Sequence, residues 1–118
     1  RGGFFMEDCI FCKIAQKAIP TEPCYEDEHI FVFPDINPVA PIHWLVIPKV
    51  HFSSIVSAQE ETALLGHLFS KLPEIAKLAG VSEDGFRMVV NTGENGGQTV
   101  DHLHIHLLGG RAMTWPPG

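Results

Sequence analysis

Three histidines at alternate positions, His102-Leu103-His104-Ile105-His106, carry the most chemistry in this sequence. In a strand, residues i, i+2 and i+4 share a face. The spacing therefore predicts three imidazoles on one side and Leu103, Ile105 and Leu107 on the other, toward a core. Crowded imidazoles gain nothing for packing. A solvated histidine face or a tag-like metal cluster would also present them, but without the interleaved apolar residues. Two chemistries suit such a face: imidazoles can ligate a metal, or one can attack an electrophile while its neighbours donate protons. The preceding loop, Asn91-Thr92-Gly93-Glu94-Asn95-Gly96-Gly97-Gln98-Thr99, favours the second. Its glycines let backbone N–H groups approach a phosphate, and Asn91, Gln98 and Thr99 offer neutral donors. No Gly-Lys-Ser/Thr follows, so it is not a Walker loop. A separate pair, Cys9-x-x-Cys12, has the spacing of a metal half-site or a redox pair. Cys24 reads as a small buried hydrophobe. His29 and His67 join no constellation and are expected at the surface.

The elements that must position these groups follow from periodicity and punctuation. Ile10, Phe11 and Ile14 have helical spacing, predicting a short helix within 9–18, closed before Pro20. Ile30-Phe31-Val32-Phe33 is a strand stopped by Pro34, and Asp35-Ile36-Asn37-Pro38 has turn chemistry. His43-Trp44-Leu45-Val46-Ile47 is a second strand. A long helix is expected over 58–79, opened by a capping box at Ser57 to Glu60, bent at Pro73 and closed by Gly80. Strands over 86–91 and 102–108 flank the loop. Strands, one long helix, then strands again fit an antiparallel α+β domain.

The chain has 118 residues, the length of one domain, and 45% of them are hydrophobic, enough for a core. The net charge of −6 argues against a nucleic-acid-coating protein, since a phosphate backbone selects basic faces. No run approaches the ~20 apolar residues of a membrane span, and no signal-peptide core is visible. The three cysteines do not suggest a secreted disulfide framework. A soluble cytoplasmic domain is the expectation, with Arg1 to Phe5, ahead of Met6, read as a possible expression remnant.

The chain resembles the histidine triad superfamily, specifically its Hint branch of nucleoside phosphoramidate hydrolases. The motif His-φ-His-φ-His-φ-φ is met in full by 102–108. The likeness extends through Ile10-Phe11, Lys13-Ile14, Phe33-Pro34-Asp35-Ile36-Asn37-Pro38, Ala40-Pro41-Ile42-His43, Val46-Ile47-Pro48-Lys49 and Gly96-Gly97-Gln98-Thr99. The ending, Gly109-Gly110-Arg111 through Trp115-Pro116-Pro117-Gly118, is that of the Hint branch rather than of its dinucleotide-hydrolysing cousins.

The resemblance implies a five-stranded antiparallel sheet with two helices, the sheet continuing across a homodimer. It implies P–N hydrolysis of purine nucleoside 5′-phosphoramidates such as those of AMP or GMP, with His104 as nucleophile. His102 would orient it, and His106 and His43 would lie beside the phosphate. Asn91, Gln98 and Thr99 would contact the phosphate and leaving group, and Asp35 would take the ribose hydroxyls. Phe11, Ile14, Phe33, Ile36 and Leu45 match positions lining the purine pocket, although core packing alone would explain them. Bacterial relatives with the Cys-x-x-Cys pair imply a structural zinc on Cys9, Cys12, His51 and His102. The rivals are a dinucleoside polyphosphate hydrolase and a nucleotide-binding regulatory protein with incidental hydrolysis. Asp101 departs from the branch, which often carries an aromatic residue there.

Overall fold

The computed structural model describes residues 5–118. Of the segment read as a remnant, Arg1 to Phe4 lies outside the described residues. Five antiparallel strands form one open sheet: β1 (Tyr25–Glu26), β2 (Ile30–Pro34), β3 (Ile42–Pro48), β4 (Phe86–Val89) and β5 (Ile105–Gly109), in the order β1-β2-β3-β5-β4. Two helices, α1 (Ile10–Ala15) and α2 (Thr62–Leu78), complete the α+β architecture expected.

Alternation assigns the two faces. Ile30, Val32, Val46, Ile105 and Leu107 point to one side and pack with Leu68, Leu72 and Ile75 of α2. Phe31, Phe33, Leu45 and Ile47 point to the other and pack with Phe11 and Ile14 of α1. Strand β2 is thus covered on both faces, which is why it reads as an unbroken apolar run. The six-residue α1 covers β2 and β3 only. The histidines stand where that cover stops.

Several boundaries differ from the sequence reading. Helix α1 is shorter than 9–18 because Lys17 adopts a left-handed φ of 67° and the Ala18 N–H closes on the Lys13 carbonyl at 2.8 Å. Helix α2 begins at Thr62, four residues after the expected start. Ser57 is not its cap: its hydroxyl is spent on the Ser54 carbonyl (3.1 Å) and N–H (3.3 Å) in an upstream turn. The helix runs through Pro73. Strand β5 starts at Ile105, so His102 and His104 precede the paired ladder. Among the described residues no helix is long and apolar enough to cross a membrane.

His67 is not a bystander. Its Nε2 lies 2.8 Å from Asp27 Oδ2, which also accepts the Tyr25 hydroxyl at 3.0 Å, while Oδ1 takes the His29 and Ile30 N–H groups. Asp27 therefore ties the β1–β2 turn to α2. Burial alone would raise its pKa, but the His29 N–H and the His67 imidazole lead a set of donors that brings it to about 2. The folded pKa lies below the unfolded value of about 3.9, so this stabilisation is complete above that pH and is lost as pH falls through about 2. Asp27→Ala is expected to cost about 2 kcal/mol at neutral pH by urea unfolding, with the gap to wild type closing in strong acid.

Candidate active site

The neighbours of each imidazole fix its tautomer. A backbone carbonyl only accepts, so His104 Nδ1–H donates to the His102 carbonyl at 2.6 Å. The lone pair of His104 is thereby left on Nε2. His43 is set the opposite way: the Val39 N–H donates to its Nδ1 at 3.1 Å, which puts the ring proton on Nε2. That Nε2–H donates to His106 Nδ1 at 2.9 Å, so His106 carries its own proton on the outward Nε2. The rings of His104 and His106 lie 5.0 Å apart, and Phe11 sets its edge on His104 at 5.1 Å. A lone pair on one ring and an N–H on the next are a nucleophile and a donor side by side.

Burial lowers the pKa of His43, with Asp35 pulling against it. Burial, reinforced by His104 and His43, lowers His106 to about 4. His106 is therefore neutral at pH 7. Because its folded pKa is below the unfolded value of about 6.5, the stability tied to it is full above that pH and declines as pH falls toward 4. An NMR titration should show the His106 ring still neutral at pH 5. A midpoint near 6.5 would contradict the hydrogen-bond assignment.

Asp35, on the turn after β2, accepts the Asn37 N–H at 2.8 Å with Oδ1 and lies 3.4 Å from His43 Nε2 with Oδ2. The potential ligand atoms of Asp35, His43 and His106 lie within 4.8 Å of one another. Yet His43 Nε2 carries a proton and the His106 Nδ1 lone pair accepts it, so neither ring offers this trio a free lone pair for a metal. Phe11, Ile14, Phe33 and Leu45 are brought together in one apolar cluster. Ile36 is not: it is 90% exposed. In the glycine loop, an added Cβ on Gly96 would lie 2.9 Å from the Thr92 nitrogen, so the bend tolerates only glycine there. Gln98 is already committed, accepting the Gly93 N–H at 3.0 Å and donating to the Ser53 and Val100 carbonyls at 2.7 and 2.9 Å. It builds the loop rather than offering a donor. Thr99 and Asp101 are exposed beside Cys9 and His51.

The second cluster lies behind the first. His102 is fully buried and donates Nε2–H to the Pro48 carbonyl at 2.9 Å, leaving Nδ1 as a lone pair. That atom lies 3.3 Å from Cys9 Sγ and 3.5 Å from Cys12 Sγ, and His51 Nδ1 is 3.4 Å from Cys12 Sγ. Tetrahedral zinc with the usual bonds to sulfur and nitrogen would hold such atoms about 3.6 Å apart. All four ligand atoms lie within 4.8 Å of one another, so the set fits a Cys₂His₂ ion. Burial pushes the Cys12 thiol up to about 11, a cost that a bound dication would offset. The sequence had no signal for the Pro48 carbonyl or the Val39 N–H, since backbone groups leave no residue signature.

Comparison with known proteins gives the family and the fold. Residues 16–113 match the HIT domain family. Protein HitA of Neisseria gonorrhoeae is 55% identical over 105 residues, covering 88% of this chain and 97% of that protein. An uncharacterized HIT-like protein of Synechococcus elongatus is 52% identical, covering 95% and 98%. Among solved structures, a HIT family hydrolase from Legionella pneumophila superposes with a TM-score of 0.90 at 47% identity, over 94% of this chain and all of that one. A histidine triad protein from Clostridium difficile gives 0.88 at 44%, over 92% and 96%.

Proposed function

The chain belongs to the HIT domain family, and from that premise we propose that it hydrolyses purine nucleoside 5′-phosphoramidates through a covalent nucleotidyl-His104 intermediate. A hydrolase of the HIT family is the class its solved neighbours support. The observation that carries the finer reading is the 2.6 Å bond from His104 Nδ1 to the His102 carbonyl, which aims a lone pair from Nε2. Attack on phosphorus forms the N–P bond as the amine departs, and water then cleaves the phosphoimidazolium. One hard displacement becomes two easier ones.

His106 Nε2–H would hold a phosphoryl oxygen. Because Nδ1 of this neutral ring already accepts from His43, the leaving amine would take its proton from water, whose hydroxide completes the hydrolysis of the intermediate. His43, whose single proton is engaged with His106, sets that ring's tautomer and does not relay the proton itself. Asp35 offers two acceptors to the ribose hydroxyls. Asn91 and Thr99 serve the phosphate side, and Phe11, Ile14, Phe33 and Leu45 hold the purine, with Ile36 at the rim.

Zinc on Cys9, Cys12, His51 and His102 would cross-link α1 to the segment leading into β5 and take no part in the chemistry. A reducing compartment such as the cytoplasm would preserve these thiols. A homodimer would continue the sheet through β4, an edge strand whose backbone groups on one side are unpaired. The test of function is a substrate panel. Adenosine and guanosine phosphoramidates should exceed dinucleoside polyphosphates in kcat/KM. The reverse preference, or tight nucleotide binding with negligible turnover, would overturn the reading.

A further inference from the structure

The tautomer chain behind His106 ends on a backbone group, the Val39 N–H, which donates to His43 Nδ1 at 3.1 Å. Two ring protons therefore depend on where one peptide of the turn between β2 and β3 lies. The turn holds that peptide weakly by itself. Pro38 and Pro41 carry no N–H, and residues 36–39 are exposed, so packing resumes only at Ala40. The Asp35 carboxylate braces the near end by accepting the Asn37 N–H at 2.8 Å. Val39 lies beyond that brace.

The missing support comes from the far end of the chain. Strand β5 ends where Gly109 pairs with Ile42, and the chain then crosses the turn. Gly110 has a φ of 91°, and an added Cβ there would stand 2.8 Å from Pro41 Cβ. Only glycine passes so close. The next residue, Arg111, reaches back 72 positions to Val39. Its Nη2–H donates to the Val39 carbonyl at 3.0 Å and its Nη1–H to the Ala112 carbonyl at 3.1 Å. A guanidinium is a planar fork, so the bond to Ala112 fixes the direction of the charged donor aimed at Val39. The carbonyl and N–H of Val39 flank one Cα. Holding the first restrains the swing of the second.

We propose that Arg111 is a positioning residue for the histidine pair. By holding the Val39 carbonyl it keeps the Val39 N–H on His43 Nδ1 and the His106 proton on Nε2. It touches neither substrate nor reacting atoms, and its effect on rate rests on the phosphoryl contact proposed for His106. If the Val39 N–H swings away, His43 Nδ1 is free to take the ring proton. His43 Nε2 then presents a lone pair, and the 2.9 Å contact with His106 persists only with the His106 proton on Nδ1. The outward Nε2 of His106 becomes an acceptor and repels a phosphoryl oxygen. Asp35 Oδ2, 3.4 Å from His43 Nε2, also favours a proton there. Once Asp35 accepts the ribose hydroxyls, as proposed, that help is divided and the Arg111 anchor carries the greater share.

The first test reads the rings without substrate. Long-range proton–nitrogen correlation spectra at mildly alkaline pH distinguish the two imidazole tautomers. Wild type should show Nε2–H for His43 and His106 and Nδ1–H for His104. In Arg111→Ala, truncated at an exposed position, His43 and His106 should each become a mixture of both tautomers. His104, anchored by the His102 carbonyl, should not change. Arg111→Lys keeps a charged donor for Val39 and should restore most of the wild-type pattern. Arg87→Gln removes the guanidinium that holds Thr114 rather than Val39, and should leave all three rings as they are. With an adenosine phosphoramidate, Arg111→Ala should lose about tenfold in kcat with KM within about twofold, and Arg111→Lys should regain part of the rate. A wild type inactive on that substrate overturns the proposed function, and the spectra alone then decide the role of Arg111. Single tautomers at His43 and His106 in Arg111→Ala, the same mixing in Arg87→Gln, or an undiminished kcat in Arg111→Ala overturns the proposal.

Discussion

Replacing His104 with alanine is expected to lower kcat by about four orders of magnitude or more, with nucleotide affinity nearly unchanged. The reason is positional. The groups proposed to hold nucleoside and phosphate, Asp35 and the apolar cluster around Phe11 among them, belong to other elements and survive the change. His104 alone presents an unprotonated Nε2 fixed by a backbone carbonyl. His104→Gly should regain part of the rate with added imidazole, because the missing group can then enter from solution. His106→Ala should slow the reaction and still allow the covalent step. Wild-type rates in His104→Ala, measured by single-turnover hydrolysis, would refute the assignment.

Loss of the cysteine–histidine cluster is expected to have the second-largest effect, on stability. A structural ion held by two thiolates and two imidazoles makes its binding energy part of folding energy. A chelator, or Cys12→Ser, should lower Tm by more than about 10 °C, since about 1 kcal/mol moves a domain of this size by several degrees. His102→Ala should cost more than the metal. It also strands the Pro48 carbonyl, which His102 Nε2–H satisfies at 2.9 Å in a buried setting. The backbone carbonyl of residue 102 remains, so the anchor for His104 survives, and residual activity should follow folded fraction. Metal analysis finding well under one zinc per chain, with both thiols free, would remove the claim. A Cys9–Cys12 disulfide would support the redox reading instead.

The parts of this molecule legible in the sequence are those that side-chain pattern dictates. Alternation across 102–108 predicts Leu103, Ile105 and Leu107 facing a core, and they pack in the one under α2. The doubly apolar run at Ile30 to Phe33 is a strand covered on both faces. What was not legible depends on backbone partners and on residues far apart in sequence. Ser57 has the chemistry of a cap, yet Ser54 claims its hydroxyl and the helix starts later. The two-residue β1 is too short for any periodicity and exists because it pairs with β2. His67 looked like surface on its own helix, and Asp27, 40 positions earlier, gives it a partner. Gln98 has the right type for a phosphate contact, but the loop uses all three of its hydrogen bonds. In the site itself, residue types predicted which histidines gather, while Val39, Pro48 and the carbonyl of His102 decide which nitrogen of each ring is free.

The most direct measurement is the covalent intermediate. Protein mixed rapidly with an adenosine phosphoramidate, quenched without acid because phosphohistidine is acid-labile, and digested for mass spectrometry should carry one nucleotidyl group, on His104. His106→Ala protein should accumulate the same adduct. An adduct mapped to His102 or His106 would contradict the account, as would none at any quench time in protein that is turning over substrate.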